Sequence, residues 1–411
     1  MPATPRDRAA FATLAGLARR FGLRLDGARV RRTSSRFCFG VEHGDYNGTA
    51  LLGVGTDRFL WLAYARNGTN RLRLCSANFE SEGVVDVDPS RLAAPKDVSG
   101  WARYAHGAAA ILAREGFALR CGLDVAIFSD IPGGGMSRSA SLCVNLVLTL
   151  LEANELAVAD RFRIVELAQA IETDFVGSPC GVLDQTMILF ARARHATHFD
   201  PATRAITHLP LGASAPPFRL LALDTGTVRP GLEASTYKLR RAECEELVRL
   251  VNGMGIPIRN LAEVRDDATL AAIRDRLSSS RPQLVARLEY LFHAQLRFAE
   301  LQRAWTAGDL ASLGAAFRAD GIGLRDLYRI SGPELETMCD LARSVPGCLG
   351  ERMLGGGDKG AAGAIVSADA VQRVSEAITI GYPRSHPAYA SRFAVHELDV
   401  VDGVTVFTGL P

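Results

Sequence analysis

Apolar and polar positions along this chain fall into blocks of two periods. Phe11, Leu14, Ala15, Ala18 and Phe21 recur at three- and four-residue spacing between arginines, which predicts an amphipathic N-terminal helix rather than the apolar stretch of a signal peptide. "TALLGVGTDRFLWLAYARNG" (Thr49 to Gly68) reads as paired strands with a turn at Gly55 to Asp57, and Gly100 to Glu115 as a helix. "CGLDVAIFSDIP" reads as a strand running into three consecutive glycines. Leu142 to Leu151, apolar on every side, predicts a buried helix, and Arg161 to Glu172 another.

Beyond Pro216 and Pro217 the pattern turns mostly helical. "FRLLALDTG" is strand-like, and helices are predicted over Thr236 to Asn252, Pro282 to Thr306, Leu310 to Ala319 and Glu334 to Arg343. A second glycine stretch, "RMLGGGDKGAAGAIVSA", ends in a strand-like tail. The proline pair is the expected boundary between domains at 1–215 and 216–411. No fixed-period repeat or low-complexity tract is visible.

Composition narrows the partners. With 411 residues and 48% apolar content the chain can bury a sizeable core. A formal net charge of +2, with 22% charged residues spread along the chain, gives neither a basic stripe for nucleic acid nor an acidic tail, so a small solute is the expected partner. The eight cysteines show no C-x-x-C pair and no zinc-ligand spacing; they read as reduced thiols of a cytoplasmic protein. The longest apolar run falls short of the ~20 residues that span a bilayer.

The glycine loop "SDIPGGGMSRSAS" (Ser129 to Ser141) carries the first chemical signal. Glycines let a backbone approach a ligand, and a helix starting just after them favours an anion at its N-terminus. Neither common phosphate fingerprint is present, and the same composition also makes a plain turn. Glu42, His43 and Asp45 lie within four residues in a polar run, which suits either a solvated loop or the hydroxyls of a sugar. Asp184, in "CGVLDQ", reads as a helix cap, a satisfied buried acid or a general base.

Six blocks in order resemble the galactokinases of the GHMP small-molecule kinases: "RFCFGVEHGDYNG" (Arg36 to Gly48), "PGGGMSRSAS", "ETDFVGSPCGVLDQ" (Glu172 to Gln185), "STYKLRRAECEE", "LRDLYRISGPELE" and "RMLGGGDKGAAGAIV" (Arg352 to Val366). The resemblance implies an α+β, two-domain GHMP kinase fold with the active site in the cleft between domains. It also implies an ATP-dependent sugar kinase acting on the anomeric hydroxyl of galactose or of a modified or higher-carbon aldose such as a heptose or octose. A non-catalytic sugar and ATP sensor is the alternative.

The roles it implies are specific. Asp184 is the base and Arg36 its partner; Glu42, His43, Asp45, Tyr237 and Gly181 face the sugar. Gly133, Gly134, Gly135, Ser137, Arg138 and Ser139 cradle the ATP phosphates, and Trp101 borders the adenine. Glu172 holds Mg2+, either with Ser137 or Ser139, or chiefly with the phosphates, or with Arg138 replacing part of the metal's charge. A monomer or homodimer without nucleic-acid or membrane partners is expected.

The chain also departs from that pattern. Arg138 replaces the usual metal-side serine, Asp358 and Lys359 replace an aromatic and a glycine, and Gly44 replaces a threonine. Lys238 replaces an asparagine, and Tyr290, Ala294 and Gln295 stand for the family's histidine, glutamate and asparagine. Arg229 keeps a counterpart. The departures suggest a sugar other than plain galactose.

Overall fold

A computed structural model describes residues 2–227 and 236–410. Twelve strands make two sheets: β1 (Arg29–Gly40), β2 (Leu51–Arg66), β3 (Leu72–Ser76), β4 (Val85–Val87), β5 (Leu123–Ser129), β6 (His195–Asp200), β7 (Ala205–Pro210), β8 (Phe218–Asp224), β9 (Cys348–Met353), β10 (Ala361–Ser367), β11 (Ala394–Leu398) and β12 (Val404–Thr408). The larger sheet runs β12-β1-β2-β5-β3-β4, with β6 and β7 attached through β2, and the smaller runs β11-β8-β10-β9. Among the described residues only β3 and β5 pair in parallel.

Eleven α-helices accompany them among the described residues: α1 (Pro5–Phe21), α2 (Ala102–Arg114), α3 (Arg138–Ala153), α4 (Phe162–Ala170), α5 (Leu183–Leu189), α6 (Thr236–Gly253), α7 (Asp267–Leu277), α8 (Pro282–Ala307), α9 (Leu310–Gly323), α10 (Pro333–Arg343) and α11 (Val371–Ser385). The α+β, two-sheet architecture agrees with the expected fold class. None of these helices is long and apolar enough to cross a membrane. All eight cysteines are free thiols.

Period-two alternation explains how the larger sheet is covered on both faces. Along β2, Leu60, Leu62 and Tyr64 belong to the main core, while Phe59, Trp61 and Ala63 belong to a second core completed by Phe11, Leu14 and Leu17 of α1. The amphipathic N-terminal helix is thus a lid on the sheet's outer face. Its entry is capped by Thr4, whose side chain accepts from the Asp7 N–H while Asp7 reaches back to the Thr4 N–H.

The expected turn at Gly55 to Asp57 is absent, because β2 is one continuous strand. Its pairing with β1 jumps from Ser34–Phe59 to Ser35–Thr56, so Asp57 and Arg58 form a bulge. A turn signal and a bulge share the same residues, and pattern alone does not separate them.

The buried helix α3 locks the site strand to the glycine loop. Its polar Asn145 donates to the Arg31 carbonyl at 3.1 Å and to the Thr33 hydroxyl at 3.2 Å, and Ser35 of β1 donates to the Met136 carbonyl at 2.6 Å. Buried polar groups need such partners, and here the partners fix β1 against the loop that precedes α3. One strand crosses the expected boundary at Pro216 and Pro217: β12 pairs antiparallel with β1 from Arg29 to Thr33.

Candidate active site

The end of β1, the glycine loop and the start of α5 converge on one cavity of about 540 Å³. Arg36, three residues beyond the β12 pairing, is 1% exposed; its Nε donates to Asp184 Oδ1 at 2.7 Å and its Nη1 to the Gly135 carbonyl at 2.8 Å. Burial works against the Arg36 charge, but Asp184 and Glu42 outweigh it and hold the guanidinium above its ordinary pKa. Asp184, at the first turn of α5 and one-third exposed, therefore faces the cavity with an arginine at its side.

The triple glycine has a packing cause. A Cβ on Gly134 would stand 2.6 Å from the Gly360 Cα, and one on Gly135 2.9 Å from the Ala361 N, so the two glycine segments meet backbone to backbone. Gly135 also sits at φ 74°. Ser137 adopts φ 60°, an uncommon conformation for a non-glycine residue, and its Oγ is buried without a hydrogen-bond partner among the described residues.

At the other end of the cavity, Glu42 is 2% exposed, accepts from the Gly355 N–H at 3.0 Å and lies 3.3 Å from Arg352 Nη2. Arg352 is also paired with Asp320 and donates to the Cys38 carbonyl at 2.9 Å, tying both halves of the chain to this carboxylate. Burial pushes the Glu42 carboxyl up against the pull of Arg36 and Arg352. His43 Nδ1 is 2.9 Å from the Tyr46 hydroxyl, and its ring lies 5.0 Å from that of Tyr237. Asp45 accepts from the Leu183 N–H at 3.1 Å and the Tyr46 N–H at 3.0 Å; burial nonetheless raises its pKa. Gly181 packs on this carboxylate so closely that any Cβ there would overlap Oδ2.

Glu172 lies in a π-helical turn, Ile171–Val176, that follows α4. The continuous α-helix expected to Glu172 stops two residues short. Gln185 donates to its carboxylate at 2.6 Å, Ser139 lines the same cavity, and burial pushes the carboxyl up to about 7. Glu172 with Ser139 offers hard oxygen donors, a set that fits magnesium held mainly by phosphate and water. Among the described residues no group of three or more His, Cys, Asp and Glu side chains converges on a metal-sized site.

All the residues expected in the site, from Arg36 and Glu42 to Asp184 and Tyr237, line this cavity. Trp101 forms its far wall with Phe79, the rings stacked 6.5 Å apart. Sequence reasoning missed Phe79. It belongs to an irregular stretch, Ala77–Glu82, that carries no motif and becomes legible only through its contacts.

Several departures prove to be scaffold adjustments. A Cβ on Gly44 would overlap the Thr49 hydroxyl and come 2.9 Å from Val41, so the missing side chain leaves no space beside a sugar. Lys238 is exposed. Tyr290 is buried, donating to the Glu42 carbonyl at 3.1 Å. Asp358, at φ 58°, accepts from the Thr236 N–H at 3.1 Å and so caps α6, while the cavity is met by Gly355 and Gly356 instead. Arg229 lies outside the described residues.

Comparison with known proteins agrees with this geometry. Residues 103–192 match the GHMP kinases N terminal domain and residues 298–384 the GHMP kinases C terminal domain. The chain is 33% identical to a galactokinase of Chloroflexus aurantiacus over 355 residues, 86% of this chain and 88% of that protein. It is 31% identical to a galactokinase of Lacticaseibacillus casei over 367 residues, 88% of this chain and 90% of that one. The structure is similar to Lactococcus lactis galactokinase complexed with galactose, with a TM-score of 0.87 and 25% identity over 97% of this chain and 99% of that one. In fold alone it is similar to Methanococcus jannaschii mevalonate kinase, with a TM-score of 0.64 and 11% identity over 91% of this chain and 98% of that one.

Proposed function

Because this chain belongs to the galactokinase-like GHMP kinases and is an ATP-dependent sugar kinase, we propose that it phosphorylates the anomeric hydroxyl of galactose or of a galactose-like aldose with a modified or longer carbon chain. One observation carries this reading: Asp184, paired with Arg36, faces the same cavity as the glycine loop.

In the reaction the anomeric O–H gives its proton to Asp184 as its oxygen bonds to the γ-phosphorus of ATP. The bond from that phosphorus to the bridging oxygen breaks, and ADP leaves with the oxygen. Arg36 orients Asp184 through its 2.7 Å hydrogen bond and adds positive charge near the transferring group. Glu42, His43, Asp45 and Tyr237 hold the sugar's other hydroxyls, and Gly181 leaves Asp45 the room to do so. Gly133 to Gly135, Ser137 and Ser139 receive the triphosphate, with the adenine on the Trp101 and Phe79 wall. Glu172 and Ser139 would hold Mg2+, which when bound offsets phosphate charge.

The residues that depart from the galactokinase pattern near the sugar point away from the cavity or brace it, which supports a ring of galactose type as the recognised core. A coupled ADP-release assay over galactose, glucose, mannose, heptoses and octoses tests this, with the phosphorylated carbon located by phosphorus NMR. Asp184→Asn is expected to lower kcat by about 10²- to 10⁴-fold while calorimetric sugar binding persists. Turnover of the variant at the native rate, or a product phosphorylated elsewhere than the anomeric carbon, defeats the assignment. Binding of sugar and ATP without turnover for every sugar tried would make the protein a sensor instead.

A further inference from the structure

Among the described residues three arginines line the cavity, and their surroundings differ. Arg36 is paired with Asp184, and Arg103 donates to the Phe175 carbonyl at 3.3 Å. Arg138, the first residue of α3, has neither a carboxylate nor a carbonyl partner among the described residues; its guanidinium lies 5.6 Å from the centroid of Phe79, whose ring stacks on Trp101. A partly buried guanidinium without a counter-ion is costly, and a cation over an aromatic face offsets only part of that cost. Burial lowers its pKa, with Tyr104 the group that counters this.

Ser139 and Glu172 both line the cavity, so a metal-side hydroxyl and a carboxylate are available without Arg138. Arg138 stands beside Phe79, next in the chain to the orphaned Ser137 Oγ and at the N-terminus of a 16-residue helix, both of which favour an anion.

We propose that Arg138 is a nucleotide-phosphate clamp: its guanidinium binds the phosphate chain from the base side, while Ser139 with Glu172 serves the metal side. This rests on the kinase reading above. A fixed positive charge on one flank of the phosphates does part of the neutralising that a serine there would leave to the divalent ion, so nucleotide binding in this chain depends less on magnesium.

The test is calorimetric binding of ATP and of adenosine, each with magnesium and with EDTA, to wild type, Arg138→Ser and Arg138→Lys. In Arg138→Ser the EDTA affinity for ATP is expected to fall about tenfold or more, with a smaller fall in magnesium, so the ratio of metal-free to metal-loaded Kd rises. Arg138→Lys should recover part of the loss, since it keeps the charge without the fork. Adenosine, which carries no phosphate, should bind all three proteins within about twofold.

An unchanged ratio, or an equal loss for adenosine and ATP, overturns the clamp while leaving the kinase reading intact. A wild-type protein that binds no ATP in either buffer overturns both. Matching thermal melts of the three proteins exclude a folding defect as the cause, and Arg138→Lys carries the test if the serine variant fails to fold.

Discussion

Gly181 shows how much chemistry depends on an absent side chain. The Asp45 carboxylate occupies the space that any Cβ at position 181 would need, and it is anchored by the Leu183 and Tyr46 N–H groups. Gly181→Ala must push that carboxylate aside, an overpacking cost of about 1–3 kcal/mol. The expected outcome is a rise of about tenfold or more in KM for the sugar, with KM for ATP little changed. Steady-state kinetics on both substrates checks it.

At this scale the sequence was most legible where a motif fixed spacing: Glu42, His43, Asp45 and Asp184 sit in the cavity where their blocks implied. It was least legible where a residue's neighbour is distant in the chain. Gly44 stood out only as a replaced threonine, yet its missing side chain accommodates Thr49, and Phe79 gave no signal at all.

Among elements, the first described turn of α6 is held by a residue more than a hundred positions away. Asp358 accepts from the Thr236 N–H, satisfying one of the donors that a helix N-terminus leaves open, and Tyr237 is the next residue. Asp358→Ala is expected to cost about 1 kcal/mol of stability by urea denaturation. It should also raise KM for the sugar more than that for ATP, since the loosened turn carries Tyr237. The boundaries of α8 and α10 fall close to those that apolar periodicity predicts, whereas α3, Arg138–Ala153, runs beyond the expected Leu142 to Leu151 at both ends. The short strands β3, β4, β6 and β7 did not, because their few residues hold too little pattern to distinguish a strand from a loop. The π-helical turn at Ile171–Val176 was equally invisible, since one extra residue in a turn leaves no mark on composition.

For the molecule as a whole, the second core is tied down by one buried acid. Asp7 is 0% exposed; it accepts from Trp61 Nε1 at 2.8 Å and from Arg32 at 2.9 Å. Burial alone would raise its pKa, but Trp61, Thr4 and Arg32 outweigh it and hold the carboxyl below the usual range. A lowered folded pKa stabilises above the unfolded value, and that stability is lost as pH falls below about 4. Asp7→Asn leaves Arg32 without its anion and is expected to cost about 3 kcal/mol at neutral pH. The gap in Tm between wild type and variant should close as a pH series descends from 6 to 3, and a constant gap would contradict the assignment.

The return of β12 to β1 has a consequence in time. On a ribosome the outer neighbour of the first strand is the last described strand to be made, so the sheet that bears Arg36 stays incomplete until Thr408 has been added. Until then β1 presents a bare edge on which other chains could add, and a chain lacking Val404 to Thr408 would keep that edge open permanently.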